Sequence, residues 1–193
     1  MKNLNKKYWS SRYQENNVPW DAGKITNPIK EYIDQLEDKQ MKILIPGVGN
    51  GYELGYLYEN GFNNVYGLDW SEEPLQFFQE KYPHFPKNQL IRGDFFLHQD
   101  TYDLILEQTF FCAISPELRS NYVDKIFELL KQNGTLAGVL FQFPLTTQGP
   151  PFGGSKTEYE KLFKNKFKIK TLEECYNSIK PRKGNELFII IKK

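Results

Sequence analysis

Short apolar runs alternate with longer amphipathic segments along most of this chain. Seven runs have the length and composition of strands: Ile43–Ile45, Val65–Leu68, Gln89–Ile91, Tyr102–Leu106, Thr135–Phe143, Phe167–Leu172 and Leu187–Ile191. Five segments between them have helical periodicity or helix-start signals: 27–36, 52–60, 72–82, 115–130 and 155–163. Strands that alternate with helices predict an α/β fold, with a doubly wound, mostly parallel seven-stranded sheet covered by helices on both faces.

One segment, residues 42–71, combines a strand, a glycine-rich turn, a helix and a second strand that ends on Asp69. Gly47, Gly49 and Gly51 follow the first strand, where glycine lets a ligand approach without meeting a Cβ. The helix N-terminus beyond them offers unpaired N–H groups and a partial positive charge. A carboxylate at the tip of the second strand accepts hydrogen bonds from ribose hydroxyls, and its separation from Gly49 fits the spacing of about 20 residues for that contact. The segment therefore predicts a nucleoside-binding βαβ unit.

The glycine spacing also indicates which nucleoside cofactor is bound. The dinucleotide pattern G-x-G-x-x-G requires glycine at Tyr52, where a large aromatic residue stands. The sequence IPGVGNGYE reads G-x-G-x-G instead, and it resembles motif I of class I S-adenosylmethionine-dependent methyltransferases. The resemblance implies S-adenosylmethionine as the cofactor, with Gly47, Gly49 and Gly51 around its methionine end.

Further candidates follow the other strands, because ligands of open α/β sheets bind beyond the carboxyl ends of the strands. Asp94 is predicted to bind an adenine amino group, with Phe95 or Trp70 against the ring face, although an ordinary Gly-Asp turn also explains Asp94. Glu107 ends a wholly apolar strand, and we expect it to hold the cofactor's ammonium group or to line the substrate pocket.

The N-terminal segment, residues 1–23, is rich in aromatic residues. Trp9 and Tyr13 are four residues apart and share one face of a helix, and Trp20 follows. A helical lid that closes over the site and excludes water is one interpretation. Packing of the same face on the domain is the alternative.

Size, charge and cysteine content narrow the class of protein. At 193 residues we expect one domain, residues 1–193, with enough chain for a sizeable core. The net charge of +1 favours neither a nucleic-acid nor a membrane partner, and no apolar run is long enough to span a bilayer. Cys112 and Cys175 are isolated, which predicts neither a metal site nor a disulfide. These features are typical of a cytoplasmic enzyme with a small-molecule substrate; they do not indicate an oligomeric state.

Six segments together resemble the thiopurine methyltransferase superfamily and cover nearly the whole chain: YWSSRYQENNVPWDAG, ILIPGVGNGYE, VYGLDWSEE, GDFF, YDLILEQTFFCAISPELR and SIKPRKGNE. The PWD-x-G, FFCAI-x-P-E-x-R and P-R-x-G-x-E patterns are similar to its halide/thiol methyltransferase branch. This resemblance implies a seven-stranded class I methyltransferase fold with an N-terminal lid. It also implies methyl transfer to a thiol, a thiopurine-like sulfur or a halide, a reaction that needs no strong general base.

The resemblance assigns roles to particular residues. Trp9, Tyr13 and Trp20 match the lid over the cofactor, Gly47 the first contact in the glycine loop, and Asp69 the ribose acid. Methyl-site candidates are Glu107, Gln108 and Arg119: the last matches an arginine near the substrate, with a solvated helix arginine as the alternative.

The chain also departs from its apparent relatives. Tyr13 stands where tryptophan is usual, Val48 where cysteine is usual, and Glu107-Gln108 where the halide/thiol enzymes have Asp-Tyr. The last difference leaves the methyl acceptor open, because that position faces the transferred methyl group in the family.

The sequence leaves two other functional classes open. One is a cofactor-binding protein of the same fold with no methyl-transfer activity, or an unrelated one. The other is a nicotinamide oxidoreductase, which the large residue at Tyr52 disfavours. A nucleic-acid methyltransferase is disfavoured as well, since no Asn/Asp-Pro-Pro-aromatic segment follows the fourth strand.

Overall fold

The computed structural model describes residues 4–193, and its seven strands are β1 Ile43–Pro46, β2 Val65–Asp69, β3 Leu90–Arg92, β4 Tyr102–Gln108, β5 Leu130–Phe141, β6 Lys168–Glu174 and β7 Glu186–Lys192. They form one sheet in the order β3-β2-β1-β4-β5-β7-β6. Strands β1 to β5 pair in parallel, whereas β7 is antiparallel to both β5 and β6. The predicted seven-stranded, mostly parallel sheet is confirmed.

Six α-helices within the described residues accompany the sheet: α1 Lys6–Gln14, α2 Asn27–Asp34, α3 Tyr52–Glu59, α4 Glu72–Lys81, α5 Arg119–Leu129 and α6 Lys156–Phe163. Apolar side chains of α2, α3 and α4 pack on one face of the sheet, and those of α5 and α6 on the other. The central strands are buried on both faces, which explains why β1 and β4 read as unbroken apolar runs. Helices on both faces confirm the doubly wound architecture.

Several element boundaries follow the local sequence signals. Ser71 occupies the N-cap of α4, and Ser155 caps α6 with its Oγ accepting a hydrogen bond from Glu158 N at 3.3 Å. Helix α2 begins at Asn27, the first residue of its predicted range, with Thr26 at the N-cap. None of the helices among residues 4–193 is long and apolar enough to cross a membrane.

The start of β5 differs from the prediction. The strand begins at Leu130, directly after α5, instead of at Thr135. Leu130 pairs with Tyr102 and Thr135 with Leu104, so the residues between them loop out of the ladder, with Asn133 at a positive φ of 66°. A turn residue inside the strand therefore shifts the register without ending the pairing.

Strands β1 to β5 run in the same direction, so their carboxyl ends all lie at one edge of the sheet. Helix α1 lies near that edge against α4, where Gln14 Nε2 donates to Glu73 Oε1 at 2.6 Å. Residues 1–3 of the predicted domain and lid lie outside the described residues.

Candidate functional site

A cavity of about 570 Å³ lies at the carboxyl edge of the sheet. The segments that follow β1 to β5 all contribute to its wall, together with the N-terminal segment and residues 181–185 near the C-terminus. Its volume is within the range of about 300–1,000 Å³ that is usual for small-molecule sites. The cavity lies where an open α/β sheet binds its ligand.

The glycine loop after β1 forms the floor of this cavity at Gly47. Gly47 has a positive φ of 61°, and a Cβ there would lie only 2.5 Å from Phe110 Cδ2. Gly51 is the N-cap of α3 at φ 71°, and a Cβ there would collide with the Phe78 ring. Gly49 and Gly51 do not line the cavity, so their part is to shape the loop rather than to offer a surface.

Asp69, at the tip of β2, connects the loop to the next strand. Its Oδ2 accepts from Gly49 N at 3.1 Å and its Oδ1 from Ser71 N at 2.9 Å. The carboxylate lines the cavity although the residue is only 8% exposed. Burial raises the pKa of Asp69 to about 6, while the N–H groups of Ser71, Gly49 and Trp70 act in the opposite direction.

The predicted adenine-side residues also meet at this cavity, where Trp70, Asp94 and Phe95 line neighbouring parts of its wall. Asp94 Oδ1 accepts from Phe96 N at 2.8 Å, which forms the turn that the alternative reading describes. The Phe95 ring is 4% exposed and packs edge-on against Phe110, with 5.0 Å between ring centroids.

The N-terminal aromatic residues cover the cavity. Trp20 packs edge-on against Trp9 and Tyr13, at 5.4 and 5.8 Å between ring centroids, and all three residues line the cavity. Burial is the main reason that the pKa of the Tyr13 hydroxyl is raised well above its usual value, and the nearby Asp69 charge adds to it. Arg182 Nη2 donates to the Trp20 carbonyl at 2.7 Å, which connects this segment to the C-terminal part of the chain.

Glu107 and Gln108 do not line the cavity. The Glu107 side chain is fully buried and accepts hydrogen bonds from Phe110 N, Phe111 N and Tyr122 Oη. Gln108 points to the opposite face of the sheet, as expected for the next residue of a strand, and its Oε1 accepts from Thr26 Oγ1 at 3.0 Å. Protein groups bind both oxygens of Glu107 and the Oε1 of Gln108, whereas Gln108 Nε2 is buried without an acceptor within residues 4–193. A direct contact of either residue with ligand stays a prediction.

Arg119 is also placed away from the cavity and away from solvent. It is 3% exposed, forms an ion pair with Glu158 and donates from Nη2 to the Gly153 carbonyl at 2.7 Å. Its guanidinium lies over the Phe111 ring, 4.8 Å from the centroid. The solvated reading of Arg119 is corrected, because the residue is buried and joins α5 to α6 and to the loop before α6. Its place near the substrate stays a prediction.

Two charged residues of the cavity wall were not among the sequence candidates, namely Arg12 on α1 and Arg182 after β6. Within residues 4–193, Arg12 Nε and Arg182 Nη1 are buried without a hydrogen-bond acceptor, although Glu186 Oε1 lies 3.5 Å from the latter nitrogen. Arg182 belongs to the P-R-x-G-x-E pattern, so the sequence contained a signal for it. Nothing in the local pattern around Arg12 indicated which face of α1 it occupies.

The ionisable side chains of the cavity wall are few. In the described part of the chain they are two arginines, two aspartates, Tyr13 and Cys112, with no lining histidine or lysine. Burial raises the pKa of the Cys112 thiol far above its usual value, and its Sγ donates to the Thr109 carbonyl at 3.3 Å. Cys112 is therefore an unreactive wall residue at neutral pH. Residues 4–193 contain no cluster of three or more His, Cys, Asp or Glu side chains suited to a metal ion.

The floor at Gly47 is kept free of a Cβ, Asp69 offers a carboxylate to hydroxyl groups, and aromatic rings surround the remainder. These features fit a nucleoside whose ribose carries an amino-acid side chain through a sulfonium centre. The fold and cavity thus define a class I S-adenosylmethionine-dependent methyltransferase.

Comparison with known proteins then gives the family. The model of the thiopurine S-methyltransferase family matches residues 4–190, and the chain belongs to that family. Thiocyanate methyltransferase 1 of Arabidopsis thaliana is 32% identical over 184 residues, which cover 92% of this chain and 81% of the relative. Thiopurine S-methyltransferase of Photobacterium profundum is 24% identical over 177 residues, 83% of each chain. Family and relatives confirm the predicted superfamily and its halide/thiol branch.

Solved structures show the same fold at low identity. The 1,6-didemethyltoxoflavin-N1-methyltransferase of Burkholderia thailandensis, solved with S-adenosylhomocysteine, superposes with a TM-score of 0.78 at 16% identity. The superposition covers 98% of this chain and 87% of that one. Such a likeness supports the arrangement of strands and helices around the cavity.

Proposed function

We propose that this chain transfers a methyl group from S-adenosylmethionine to a small, soft, anionic nucleophile: thiocyanate, another thiolate, a thiopurine-like sulfur or a halide. The observation that carries the proposal is a ring-lined cavity with two arginines on its wall and, among the described residues, no histidine or lysine there. An anion has no proton to lose before it attacks, so such a wall suffices for it. A neutral alcohol or amine needs a general base in the same place.

The electrostatics of the wall favour an anionic acceptor. Arg12 and Arg182 carry permanent positive charge, and each has a buried nitrogen with no hydrogen-bond acceptor within residues 4–193. Positive charge in a cleft with apolar walls raises the local concentration of anions. Guanidinium groups of this kind attract a soft anion without protonating it.

The cofactor supplies an electrophilic methyl group on a positively charged sulfur. The aromatic faces of Trp9, Tyr13 and Trp20 suit that charge through cation–π attraction and exclude water from it. In this proposal Gly47 gives the cofactor room, Asp69 binds its ribose, and Trp70, Asp94 and Phe95 contact its base. Gly49 and Gly51 support these contacts by shaping the glycine loop. Glu107 supports the cavity wall from behind through its hydrogen bonds to Phe110 N and Phe111 N.

The names of two relatives support this acceptor class. One is a thiocyanate methyltransferase and the other a thiopurine S-methyltransferase. Both names describe methyl transfer to sulfur. We extend that chemistry to this chain because, among the described residues, no histidine or lysine lines its cavity, and the two carboxylates there, Asp69 and Asp94, accept backbone N–H groups and are assigned to the cofactor rather than to the acceptor.

Three broader features complete the proposal. The chain acts as a single domain, it works in the cytoplasm, and its partner is a small molecule rather than nucleic acid. Free, buried cysteines at positions 112 and 175 suit a reducing compartment, and the balanced charge lacks the excess of basic residues that phosphate backbones attract.

A methyl-donor assay with a panel of acceptors tests the proposal. The chain is incubated with S-adenosylmethionine and, in separate reactions, thiocyanate, iodide, hydrosulfide, a thiopurine, a catechol and a primary amine, and the products are identified by mass spectrometry. We expect methylation of the anions and none of the catechol or amine. Methylation of the catechol or amine alone would overturn the anionic acceptor. Binding of S-adenosylhomocysteine by calorimetry without any product would indicate a cofactor-binding protein.

A further inference from the structure

The end of β4 holds a buried carboxylate that the proposed reaction does not use directly. Glu107 is 0% exposed, and its Oε1 accepts from Phe110 N at 2.8 Å and from Phe111 N at 2.9 Å. Its Oε2 accepts from Tyr122 Oη on α5 at 2.6 Å. Buried ionisable groups are costly unless their hydrogen bonds are satisfied, and here one carboxylate satisfies two backbone donors and a phenol.

The backbone that Glu107 holds is strained at Thr109. This β-branched residue has a φ of 61°, in the left-handed region that side chains of its type rarely adopt. Such a conformation costs on the order of 1–3 kcal/mol and persists only where surrounding contacts enforce it. The two N–H groups bound by Glu107 follow immediately after Thr109 and supply such contacts.

The strained loop forms a large part of the cavity wall. Five of its residues line the cavity: Thr109, Phe110, Cys112, Ala113 and Ile114. The Phe110 ring lies so close to Gly47 that a Cβ there would be 2.5 Å from its Cδ2. Phe110, whose N–H donates to Glu107, therefore joins this part of the cavity wall to the glycine loop.

Tyr122 extends the support to the adenine side. Its ring is 0% exposed and stacks on Phe95 at 5.5 Å between ring centroids, while its hydroxyl donates to Glu107. Glu107 thus binds the 109–114 loop through Oε1 and the Tyr122 hydroxyl through Oε2, and the Tyr122 ring packs on Phe95 in the cavity wall.

We propose that Glu107 is a positioning residue, which holds the 109–114 loop and the Phe110 ring in register with the glycine loop so that the acceptor lies in line with the methyl group. The proposal rests on the proposed function for its choice of acceptor. It assigns Glu107 no contact with either ligand. Loss of the carboxylate lets the loop relax at Thr109, which moves the acceptor wall more than the cofactor floor. Misplacement by about 1 Å can lower a rate by about 100-fold.

Three variants separate this role from general stability. Glu107→Gln keeps the shape and one oxygen acceptor for the two N–H groups. Glu107→Leu removes the acceptor at similar size, and Tyr122→Phe removes a single hydroxyl. Tyr102→Phe is the matched control, because Tyr102 is equally buried on β4 and its hydroxyl pairs with His98 at the far edge of the sheet.

Each variant is measured by steady-state kinetics with thiocyanate, by calorimetry with S-adenosylhomocysteine and by amide hydrogen exchange at Phe110 and Phe111. For Glu107→Leu we expect a kcat about 100-fold lower, for Tyr122→Phe a smaller loss, and for Glu107→Gln recovery to near wild type. The Kd for S-adenosylhomocysteine should change less than about 3-fold, and the two amides should exchange faster in Glu107→Leu and Tyr122→Phe but not in Tyr102→Phe.

The proposal is overturned if Glu107→Leu and Tyr122→Phe keep wild-type kcat and amide protection. It is also overturned if Tyr102→Phe loses as much kcat as Tyr122→Phe does. Should Glu107→Leu not fold, Tyr122→Phe carries the test. Should wild type methylate none of the acceptors, the proposed function fails on its own, and the exchange of the Phe110 and Phe111 amides still decides whether Glu107 holds the loop.

Discussion

The carboxylate of Asp69 accepts a hydrogen bond at 3.1 Å from the backbone N–H of Gly49, which lies 20 residues earlier in the chain. The same carboxylate lines the cavity, so one side chain fixes the glycine loop and faces the proposed ribose position. The shape of the glycine loop and the proposed ribose contact therefore share one side chain.

Asp69→Ala should weaken cofactor binding by about 1–3 kcal/mol, or roughly 5- to 150-fold in Kd, because charge-assisted hydrogen bonds are lost. Calorimetric titration with S-adenosylhomocysteine measures the change. Asp38→Ala removes an exposed carboxylate from another loop and serves as the control. Unchanged affinity in Asp69→Ala would remove Asp69 from the site.

Gly47→Ala should abolish or strongly impair cofactor binding, because its new Cβ, which has no room beside the Phe110 ring, forces the glycine loop itself to shift at the cavity floor. Gly61→Ala is a matched control: Gly61 has a φ of 82° but open space around a Cβ. Both variants carry a conformational cost of about 1–2 kcal/mol, seen as lower midpoints in chemical denaturation. Only Gly47→Ala should lose S-adenosylhomocysteine binding; equal binding losses in both would show that strain, and not the Phe110 contact, matters.

Arg182→Gln should raise the KM for thiocyanate by about 10-fold, since a permanent positive charge leaves the cavity wall and the contact to the Trp20 carbonyl is weakened. Lys180→Gln removes the same charge from an exposed position in the same turn and should leave the KM near wild type. Initial rates at constant ionic strength are the measurement. Parallel increases in both variants would point to overall charge instead of Arg182.

Trp20→Ala should lower turnover about 10-fold with a smaller effect on folding, because the ring covers the cavity beside Trp9 and Tyr13 and is only partly buried. Kinetics and thermal melting of the same preparation separate the two effects. A variant that unfolds would support the alternative in which the aromatic segment is chiefly packing.

Glu53→Gln should change how stability depends on pH. Glu53 is a buried residue in the first turn of α3, and burial raises the pKa of its carboxyl from the usual 4.5 to about 7. Between these values the folded state binds more protons than the unfolded state, so this group makes the protein less stable as pH rises from about 4.5 to about 7.

The glutamine variant lacks that loss, and its stability relative to wild type should increase with pH over this window by on the order of 1–3 kcal/mol. Urea denaturation at pH 5 and pH 8 tests this. A difference between variant and wild type that is the same at both values would contradict the raised pKa. Glu59→Gln, an exposed position on the same helix, provides the control.

Much of the fold was predictable because its signals are local. The glycine turn, the carboxylate at Asp69 and the apolar strands follow from steric and solvation preferences that act over a few residues. The start of β5 was not predictable from local signals. Its pairing with β4 continues on both sides of an irregular turn at Asn133, and only the partner strand determines where that pairing begins.

The candidate site was predictable to the extent that strand ends determine it. The pattern placed Glu107 and Gln108 at the correct edge of the sheet, but it did not show where each side chain points or which protein groups satisfy it. The burial of Arg119 was not predictable for a similar reason, because its ion pair with Glu158 joins residues that are 39 positions apart in the chain. Arg12 and Arg182 reach the cavity from opposite parts of the sequence, so their shared position depends on tertiary packing alone.

All three tryptophans of the chain, Trp9, Trp20 and Trp70, line the one cavity described above. Their ultraviolet emission should therefore report on this site and on little else in the molecule. Trp9 and Trp20 belong to the covering segment, whereas Trp70 follows β2 on the sheet side. Variants that each keep one of the three tryptophans would thus separate two fluorescence signals without a label. Trp9 or Trp20 would report on movement of the N-terminal segment, and Trp70 on occupation of the adenine side.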